Sequence, residues 1–158
     1  MTAIKDDIKI IPYRNRYASD FSRLNREWLE GFDLLEAADA KYLDFPRESI
    51  IDKGGQVFFA VKNNEVLGTC AAIRQGREVV EVAKLAVAQS AQQRGIGRLL
   101  VQTVIDHARR MGAKKISLVS STRLVSALRL YASMGFVSKP LPKNPGYASA
   151  DVYMERVL

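Results

Sequence analysis

One stretch, residues 56–120, constrains the fold most because its strand and helix patterns follow one another in a distinctive order. Three apolar runs separated by short turns, QVFFAV, EVLGTCAAI and EVVEVAKLAV, predict three consecutive antiparallel strands. A helical stripe of apolar residues and a further strand, KKISLVS, come next. A strand, a helix and another strand in this order indicate a parallel pair joined by a crossover helix. The stretch therefore predicts a mixed sheet covered by helices.

The segments on either side extend this architecture. IKII, at positions 8–11, predicts a first strand, and apolar residues at helical spacing then predict an amphipathic helix. EAADAKYL predicts a short second helix, and Pro46 opens a third that ends at Gly54 and Gly55. After the helix LVSALRLYASM, FVSK and DVYMERVL predict the last strands. We expect a single α/β domain over residues 1–158, with a mixed, mostly antiparallel sheet flanked by helices.

The composition excludes several classes of protein. The 158 residues include one Cys and one His, so neither a disulfide within one chain nor a His-rich metal centre can form, and we expect no bound metal. The first ten residues lack the apolar core of a signal peptide, and no apolar run reaches membrane-spanning length. We expect a cytoplasmic protein with no membrane partner, and the sequence leaves a homodimer open.

The net charge of +7 is concentrated in one part of the chain. Residues 94–143 carry 10 Lys or Arg against a single acid, whereas residues 1–93 carry 13 bases and 14 acids. A basic block of this kind attracts an anion, which could be nucleic acid, an acidic membrane or a phosphorylated cofactor. A solvated basic face is the alternative that charge alone does not exclude.

The basic block opens with a glycine-containing stretch, AQQRGIGR at positions 91–98, between a strand and a helix. It is not a dinucleotide fingerprint, which needs a third glycine, nor a P-loop, which needs a lysine after Gly97. Gly95 and Gly97 let the main chain approach a ligand closely, and the free N–H groups of the first helical turn point toward it. With the charges of Arg94 and Arg98, the stretch predicts a pyrophosphate site.

Two motifs resemble those of a known family. KLAVAQSAQQRGIGRLL resembles the acetyl-CoA-binding motif of the GNAT superfamily of N-acetyltransferases, in which L-x-V and R/Q-x-x-G-x-G/A are joined by a short loop. ALRLYASMGF resembles that family's later motif, A-x-x-L-Y-x-x-x-G-F, at the usual spacing. The close resemblance covers residues 81–137. It implies a GNAT-like fold in which the strand ending at Val87 and the parallel strand KKISLVS splay apart, with the cofactor arm between them.

The resemblance also implies acetyl-CoA as co-substrate and a set of residues that bind it. Main-chain groups of the stretch Leu85, Ala86 and Val87 would pair with the pantetheine arm. Main-chain N–H groups would hold the pyrophosphate, and these belong to Gln92, Gln93, Arg94, Gly95, Ile96, Gly97 and Arg98. Many members carry an Asn that contacts the arm where this chain has Leu124, so Ser121 and Thr122 are the candidates to replace it.

Attack on a thioester requires a neutral amine, whereas an alkylammonium has a pKa of roughly 10, so a base must remove a proton. We predict that Glu81 is this base. Strand alternation puts Glu81 on one face with Ala83, Leu85 and Val87, toward the cofactor arm. Some GNAT members also place a catalytic glutamate four residues before the position of Leu85. An exposed or ion-paired glutamate is the alternative. Glu78 is the fallback base, although it lies near the turn and on the opposite face.

Tyr131 is the predicted acid, because the resembling motif commonly places this hydroxyl near the cofactor sulfur. A core position is the alternative, since Leu124, Leu128 and Tyr131 form an apolar stripe. A main-chain N–H near Val87 could stabilise charge that develops on the thioester oxygen.

The acceptor is expected to be a cationic amine. The segment REWLEGFDLLEAADAKYLDF holds six acids against two bases, and in GNAT-like folds this region borders the acceptor cleft. The rings of Trp28 and Phe32 could stack on the amine's body, and Glu36 and Asp39, three residues apart, would share a helix face. The alternative is that these acids are the ordinary solvated face of amphipathic helices.

Together these expectations describe a GNAT-type enzyme that transfers the acetyl group of acetyl-CoA to a primary amine by direct attack. A catalytically silent acyl-CoA sensor or scaffold is the first alternative, and it would bind the cofactor without releasing CoA. A nucleic-acid-binding domain is disfavoured, because the basic block has only Tyr131 and Phe136 as aromatic residues and no RNA-recognition motif. The sequence does not name the acceptor.

Overall fold

A seven-stranded sheet forms the centre of the protein in a computed structural model that describes residues 7–158. The strand order is β1-β2-β3-β4-β5-β7-β6, and only the β4–β5 pair is parallel among the described residues. The predicted mixed, mostly antiparallel sheet is therefore confirmed. The strands are β1 (Lys9–Pro12), β2 (Gln56–Lys62), β3 (Glu65–Arg74), β4 (Val79–Val87), β5 (Lys115–Ser120), β6 (Val137–Lys139) and β7 (Val152–Val157).

Within residues 7–158 there are four α-helices on the sheet: α1 (Ala18–Gly31), α2 (Ala40–Asp44), α3 (Ile96–Arg110) and α4 (Val125–Ser133). Short 3₁₀ turns lead into α1 and α2, and one π-helical turn, Arg47–Ile51, stands where a third helix was predicted. The turn ends quickly because Gly54 has a φ of +93°, which is not helical. Over residues 7–158, no helix is both long enough and apolar enough to cross a membrane.

The sheet separates two apolar cores because successive side chains of a strand point to opposite faces. In β2, Phe58 and Ala60 pack with α3 and α4, whereas Val57 and Phe59 pack with α1 and α2. The apolar stripe of α3 is fully buried on the first face and consists of Ile96, Leu100, Val101, Val104, Ile105 and Ala108.

A β-bulge interrupts β4. Thr69 of β3 pairs with Ala86 and Ala71 pairs with Ala83, so that two residues of β4 lie opposite one residue of β3. The two residues of β4 at the bulge are Lys84 and Leu85, and Lys84 has a φ of +55°. The bulge therefore shifts the alternation of side chains in the second half of the strand.

The bulge makes one sequence prediction wrong. Ala83 packs on the α1 face of the sheet, whereas Leu85 and Val87 pack on the α3 face. Glu81 and Ala83 therefore do not share a face with Leu85 and Val87. The cause is the additional residue at Lys84, which a period of two cannot represent.

The parallel strands β4 and β5 separate after a short pairing. Their partners are Val79 with Lys115, Val80 with Ile116 and Glu81 with Ser117. Beyond these pairs, within the described chain, the edge of β4 that faces β5 has no strand partner as far as its end. The expected splay is present, and Glu81 stands at the point where it opens.

Candidate active site

A cavity of about 110 Å³ occupies the splay between β4 and β5, and we call it the splay cavity. It passes through the sheet, because its wall includes residues of α1 on one face and of α4 on the other. Both predicted catalytic residues, Glu81 and Tyr131, line it. Other lining residues are Asn25, Trp28, Asp39, Lys84, Leu85, Ser121, Leu124, Ala127, Tyr147 and Ser149.

A second cavity of about 220 Å³, which we call the loop cavity, lies beside the first. Its wall combines Tyr42 of α2, Ile73 and Gln75 at the end of β3, and residues 144–147 of the segment between β6 and β7. Glu81 and Tyr147 line both cavities. The carboxylate of Glu81 therefore stands at the junction of two spaces that could hold two reactants.

The carboxylate of Glu81 is partly buried. Burial raises its pKa above the ordinary 4.5, while a hydrogen bond and the charge of Lys84 oppose this rise. The hydrogen bond comes from Gln75 Nε2 to Glu81 Oε1, at 2.6 Å. A carboxylate whose pKa is moved toward neutrality is a stronger base than an exposed one, as proton abstraction requires.

Tyr131 lies on α4 and is 7% exposed. Its ring packs edge-to-face on Phe136, with centroids 5.8 Å apart, and burial raises the pKa of its hydroxyl. The phenol therefore remains protonated at neutral pH. The ring of Tyr131 belongs to the core and also lines the splay cavity. A core position is therefore compatible with the predicted role as an acid.

The glycine-containing loop adopts a left-handed backbone at two positions before α3. Gln93 and Gly95 have φ angles of +63° and +80°. The N–H of Leu99 donates to the carbonyl of Gly95 at 3.1 Å, so the three N–H groups before it precede the first helical hydrogen bond. Those of Ile96, Gly97 and Arg98 are thus available to an anion, together with the positive end of the helix dipole.

Two glycines bring the start of α3 close to its neighbours. A Cβ added to Gly97 would lie 3.4 Å from Leu130 Cδ2 of α4. A Cβ added to Gly68 of β3 would lie 3.0 Å from Ile96 Cγ2 and 3.1 Å from Leu100 Cδ1. The contact at Gly97 is of ordinary length, so packing against α4 does not by itself require glycine there, and the expected close approach of a ligand stays a prediction. Gly68, which sequence analysis missed, sets the distance between α3 and the sheet.

Two side chains of the loop are engaged within the protein. Gln92 Nε2 donates to the carbonyl of Val87 at 3.2 Å, and the guanidinium of Arg98 donates to Ser133 Oγ at 2.6 Å. These bonds fix the loop to β4 and to α4. The loop therefore presents its main-chain N–H groups to a ligand more than it presents these two side chains.

Ser121 is the better placed of the two candidates to replace the family's Asn. It is buried and lines the splay cavity beside Leu124. Thr122 instead binds Asp151, through its N–H at 2.9 Å and its hydroxyl at 3.0 Å.

Glu36 and Asp39 do not share a helix face, so this prediction is wrong. Glu36 is extended and caps the turn Ala37–Asp39, and its N–H donates to Asp39 Oδ2 at 2.8 Å. Its carboxylate accepts hydrogen bonds from the N–H groups of Ala148 and Ser149, at 2.8 and 2.9 Å, and from the Ser149 hydroxyl. Partial burial alone would raise the pKa of Glu36, but these bonds outweigh it and lower the pKa.

Asp39 is buried in an ion pair with Lys84 that sequence analysis did not foresee. The Lys84 and Asp39 side chains are 7% and 3% exposed, and Lys84 Nζ also donates to the hydroxyl of Tyr147 at 2.9 Å. Its ammonium lies 4.6 Å from the ring centre of Tyr147 and 5.6 Å from that of Tyr42. A lysine inside the apolar strand EVAKLAV was the available signal.

Trp28 and Phe32 lie at the end of α1, with ring centroids 5.5 Å apart. Both line a third cavity, of about 290 Å³, together with Val87 and Gln92. Trp28 also lines the splay cavity. These aromatic residues therefore lie beside the glycine-containing loop, while the acids predicted to act with them are internally bonded. Among the described residues, no three His, Cys, Asp or Glu side chains are grouped to hold a metal ion.

Sequence comparisons relate the chain to acetyltransferases. A sequence model of the acetyltransferase (GNAT) family matches residues 18–136. An uncharacterized N-acetyltransferase of Bacillus subtilis (strain 168), YvbK, is 30% identical over 110 residues, which cover 68% of this chain and 67% of that protein. N-acetyltransferase 8B of Rattus norvegicus is 32% identical over 98 residues, 59% of this chain and 44% of that protein. The chain thus spans less than half the length of the rat relative it matches.

Solved structures agree in fold. An acetyltransferase of the GNAT family from Staphylococcus aureus Mu50 superposes with a TM-score of 0.87 at 23% identity, covering 96% of this chain and 99% of that chain. A GNAT family acetyltransferase from Elizabethkingia anophelis, solved with acetyl-CoA bound, superposes with a TM-score of 0.63 at 23% identity, covering 98% and 100%. Since the family match covers most of its length, the chain belongs to the acetyltransferase (GNAT) family.

Proposed function

We propose that this protein transfers the acetyl group of acetyl-CoA to a primary amine by direct attack, and that residues 1–158 form one domain that does so. The observation that carries the proposal is the splay cavity, where a partly protected carboxylate, a protonated phenol and an open strand edge line one space. Family membership and relatives named as N-acetyltransferases support acyl transfer to nitrogen.

The residues present fit acetyl-CoA as the donor substrate. Free N–H groups at the start of α3 would bind its pyrophosphate, and the charge of Arg94 would add to them. The edge of β4 from Leu85 to Val87 has no strand partner on the side of β5 and would pair with the pantetheine arm, much as an added strand does. The side chain of Gln92, which binds the carbonyl of Val87, would then give way to the arm. A GNAT relative of similar fold has been solved with acetyl-CoA bound, which supports this assignment.

The acceptor amine would reach Glu81 from the loop cavity, on the side away from the glycine-containing loop. Glu81 takes a proton from the ammonium, and the amine nitrogen then attacks the thioester carbon. The bond from nitrogen to carbon forms first and gives a tetrahedral oxyanion, which a main-chain N–H near Val87 stabilises. When the carbonyl re-forms, the bond from carbon to sulfur breaks, and the second proton of the nitrogen passes to the departing sulfur. Tyr131 donates a hydrogen bond to the departing thiolate, which leaves as CoA.

A thiol-release assay with acetyl-CoA and a panel of primary amines tests this function. We expect CoA release that depends on both the protein and an amine, and mass spectrometry should find the amine heavier by one acetyl group. Tight binding of acetyl-CoA without release for any amine of the panel would instead support the silent sensor or scaffold.

Substituting Gly95 is expected to weaken binding of acetyl-CoA. A valine cannot adopt the φ of +80° without strain of about 1–2 kcal/mol, so the loop must change shape. We expect at least a tenfold rise in the Kd measured by calorimetry, about 1.4 kcal/mol. Gly76→Val is the matched control, because Gly76 has a φ of +89° and open space around its Cα, outside the three cavities. Equal affinities of the Gly95 variant and wild type would contradict the assignment of the loop.

A further inference from the structure

We propose that Lys84 is a positioning residue. It holds Tyr147 and the neighbouring wall of the loop cavity near Glu81, so that the acceptor amine enters in the correct position relative to the Glu81 carboxylate. The inference rests on the proposed function, because it concerns the acceptor side of that same site. It arises from a lysine at a strained backbone position whose buried ammonium joins three separate parts of the chain.

The backbone of Lys84 is the first observation. Its φ of +55° lies in the left-handed region that side chains other than glycine avoid. Strain of this kind persists only where surrounding contacts hold it, and it is concentrated at functional sites. The bulge also places Lys84 between Ala83, which packs on the α1 face, and Leu85, which packs on the α3 face.

The contacts of the ammonium are the second observation. Lys84 is ion-paired with Asp39 and donates to the hydroxyl of Tyr147 at 2.9 Å. Asp39 is itself fixed, because its other oxygen accepts the N–H of Glu36 at 2.8 Å. Burial of a charge is costly unless it is paired and hydrogen-bonded, and here both members of the pair are. The ammonium therefore has little freedom to move.

The segment that Lys84 fixes is the third observation. Residues 144–147 line the loop cavity together with Gln75 and Glu81. This segment is tied down twice, by Lys84 at Tyr147 and by the carboxylate of Glu36 at Ala148 and Ser149. Lys84 thus connects the β4 bulge, three residues after the base, to the wall that would face the acceptor.

Loss of the Lys84 ammonium is expected to affect the acceptor and leave the donor unaffected. The wall at Tyr147 loses its tether, so the KM for the amine rises. The charge of Lys84 also lowers the pKa of Glu81, so its removal moves the acid limb of the pH profile to higher pH. The titratable groups facing the ammonium are Asp39, Glu36, Tyr42, Tyr147 and Glu81. The glycine-containing loop lies outside this set, so the Kd for acetyl-CoA stays constant.

The test uses a double variant, Asp39→Asn with Lys84→Met, because removing Lys84 alone leaves a buried, unpaired carboxylate. We expect the double variant to fold, to raise the KM for the best amine of the panel at least tenfold, and to bind acetyl-CoA within twofold of wild type. The single variant Lys84→Arg keeps the charge beside Asp39. Its KM for the amine should lie between those of the wild type and the double variant. Hydrogen exchange of the amides at residues 144–149 should accelerate in the double variant.

Lys115→Met is the matched control. Lys115 of β5 also pairs with a carboxylate bound by a tyrosine, since Glu155 accepts from Lys115 at 2.9 Å and from Tyr153 at 2.8 Å, but it lines none of the three cavities. Its variant should keep the wild-type KM. An unchanged KM, acid limb and exchange rate in the folded double variant would overturn the proposal. Hydrogen exchange needs no turnover. It therefore tests whether Lys84 holds the segment at Tyr147 even if no amine is acetylated and the proposed function is wrong.

Discussion

Replacing Glu81 with Gln is expected to reduce kcat/KM at neutral pH by about 10²- to 10⁴-fold, the usual contribution of a positioned general base. Gln keeps the size of the side chain and can still bind Gln75, but it cannot accept the amine's proton. The loss should shrink as pH rises toward the amine's own pKa of roughly 10, because the free amine then forms without help.

The pH profile of the wild type supplies a second measurement. Burial raises the pKa of Glu81 above 4.5, so activity should fall as pH decreases through that raised value, and this acid limb should be absent in Glu81→Gln. A limb that persists in the variant would assign the titration to another group.

The same pKa shift predicts that the variant does not lose stability. A carboxyl whose pKa is higher in the folded than in the unfolded state stabilises the fold while it is protonated, and this contribution disappears as pH rises through the folded pKa. At pH 7 the ionised Glu81 therefore costs stability that Gln does not. We expect the Tm of Glu81→Gln to equal or exceed that of wild type at pH 7, with a smaller difference at pH 4. Loss of activity then cannot be attributed to unfolding.

Glu78→Gln is the matched control for this experiment. Glu78 lies three residues earlier in the chain, is exposed, and pairs with Lys114 at 3.3 Å on the surface. It lines none of the three cavities. We expect wild-type kcat/KM for this variant, and a similar loss in both variants would remove Glu81 from its assigned role.

Most of the secondary structure and the order of its elements along the chain could be predicted because they depend on local patterns. The hairpin between β2 and β3 turns at Asn63 and Asn64, which both adopt positive φ angles, 51° and 64°, that Asn tolerates well. The position of the splay likewise agrees with the expectation that resemblance to the family provided. These features need no knowledge of distant contacts.

The bulge and the buried ion pair could not be predicted, for two physical reasons. A bulge adds one residue to a strand without a marked change in composition, so the alternation of Glu81, Ala83 and Leu85 looks regular in the sequence. The partner of Lys84 is 45 residues away, in the turn Ala37–Asp39 that precedes α2, and only the tertiary fold brings Asp39 to it. The acids of residues 36–39 therefore resembled an open acceptor surface, although their charges are used internally.

Replacing Tyr131 with Phe is expected to lower kcat about 10- to 100-fold, at or below the low end of acid catalysis, while the Kd for acetyl-CoA stays nearly constant. Burial raises the pKa of this phenol above 10, whereas a thiol has a pKa of roughly 8.5, so complete proton transfer to the thiolate is unfavourable. The hydroxyl instead donates a hydrogen bond as charge develops on sulfur, which explains the modest size of the effect.

Phe preserves the ring that packs on Phe136, so the variant should fold as the wild type does. Tyr17→Phe is the control, because Tyr17 is a similarly buried tyrosine that packs on Phe59 and lines none of the three cavities. Single-turnover measurements should place the loss in the chemical step for Tyr131→Phe alone. If that step proceeds at the wild-type rate, Tyr131 serves the core of α4 and another donor must stabilise the leaving thiolate.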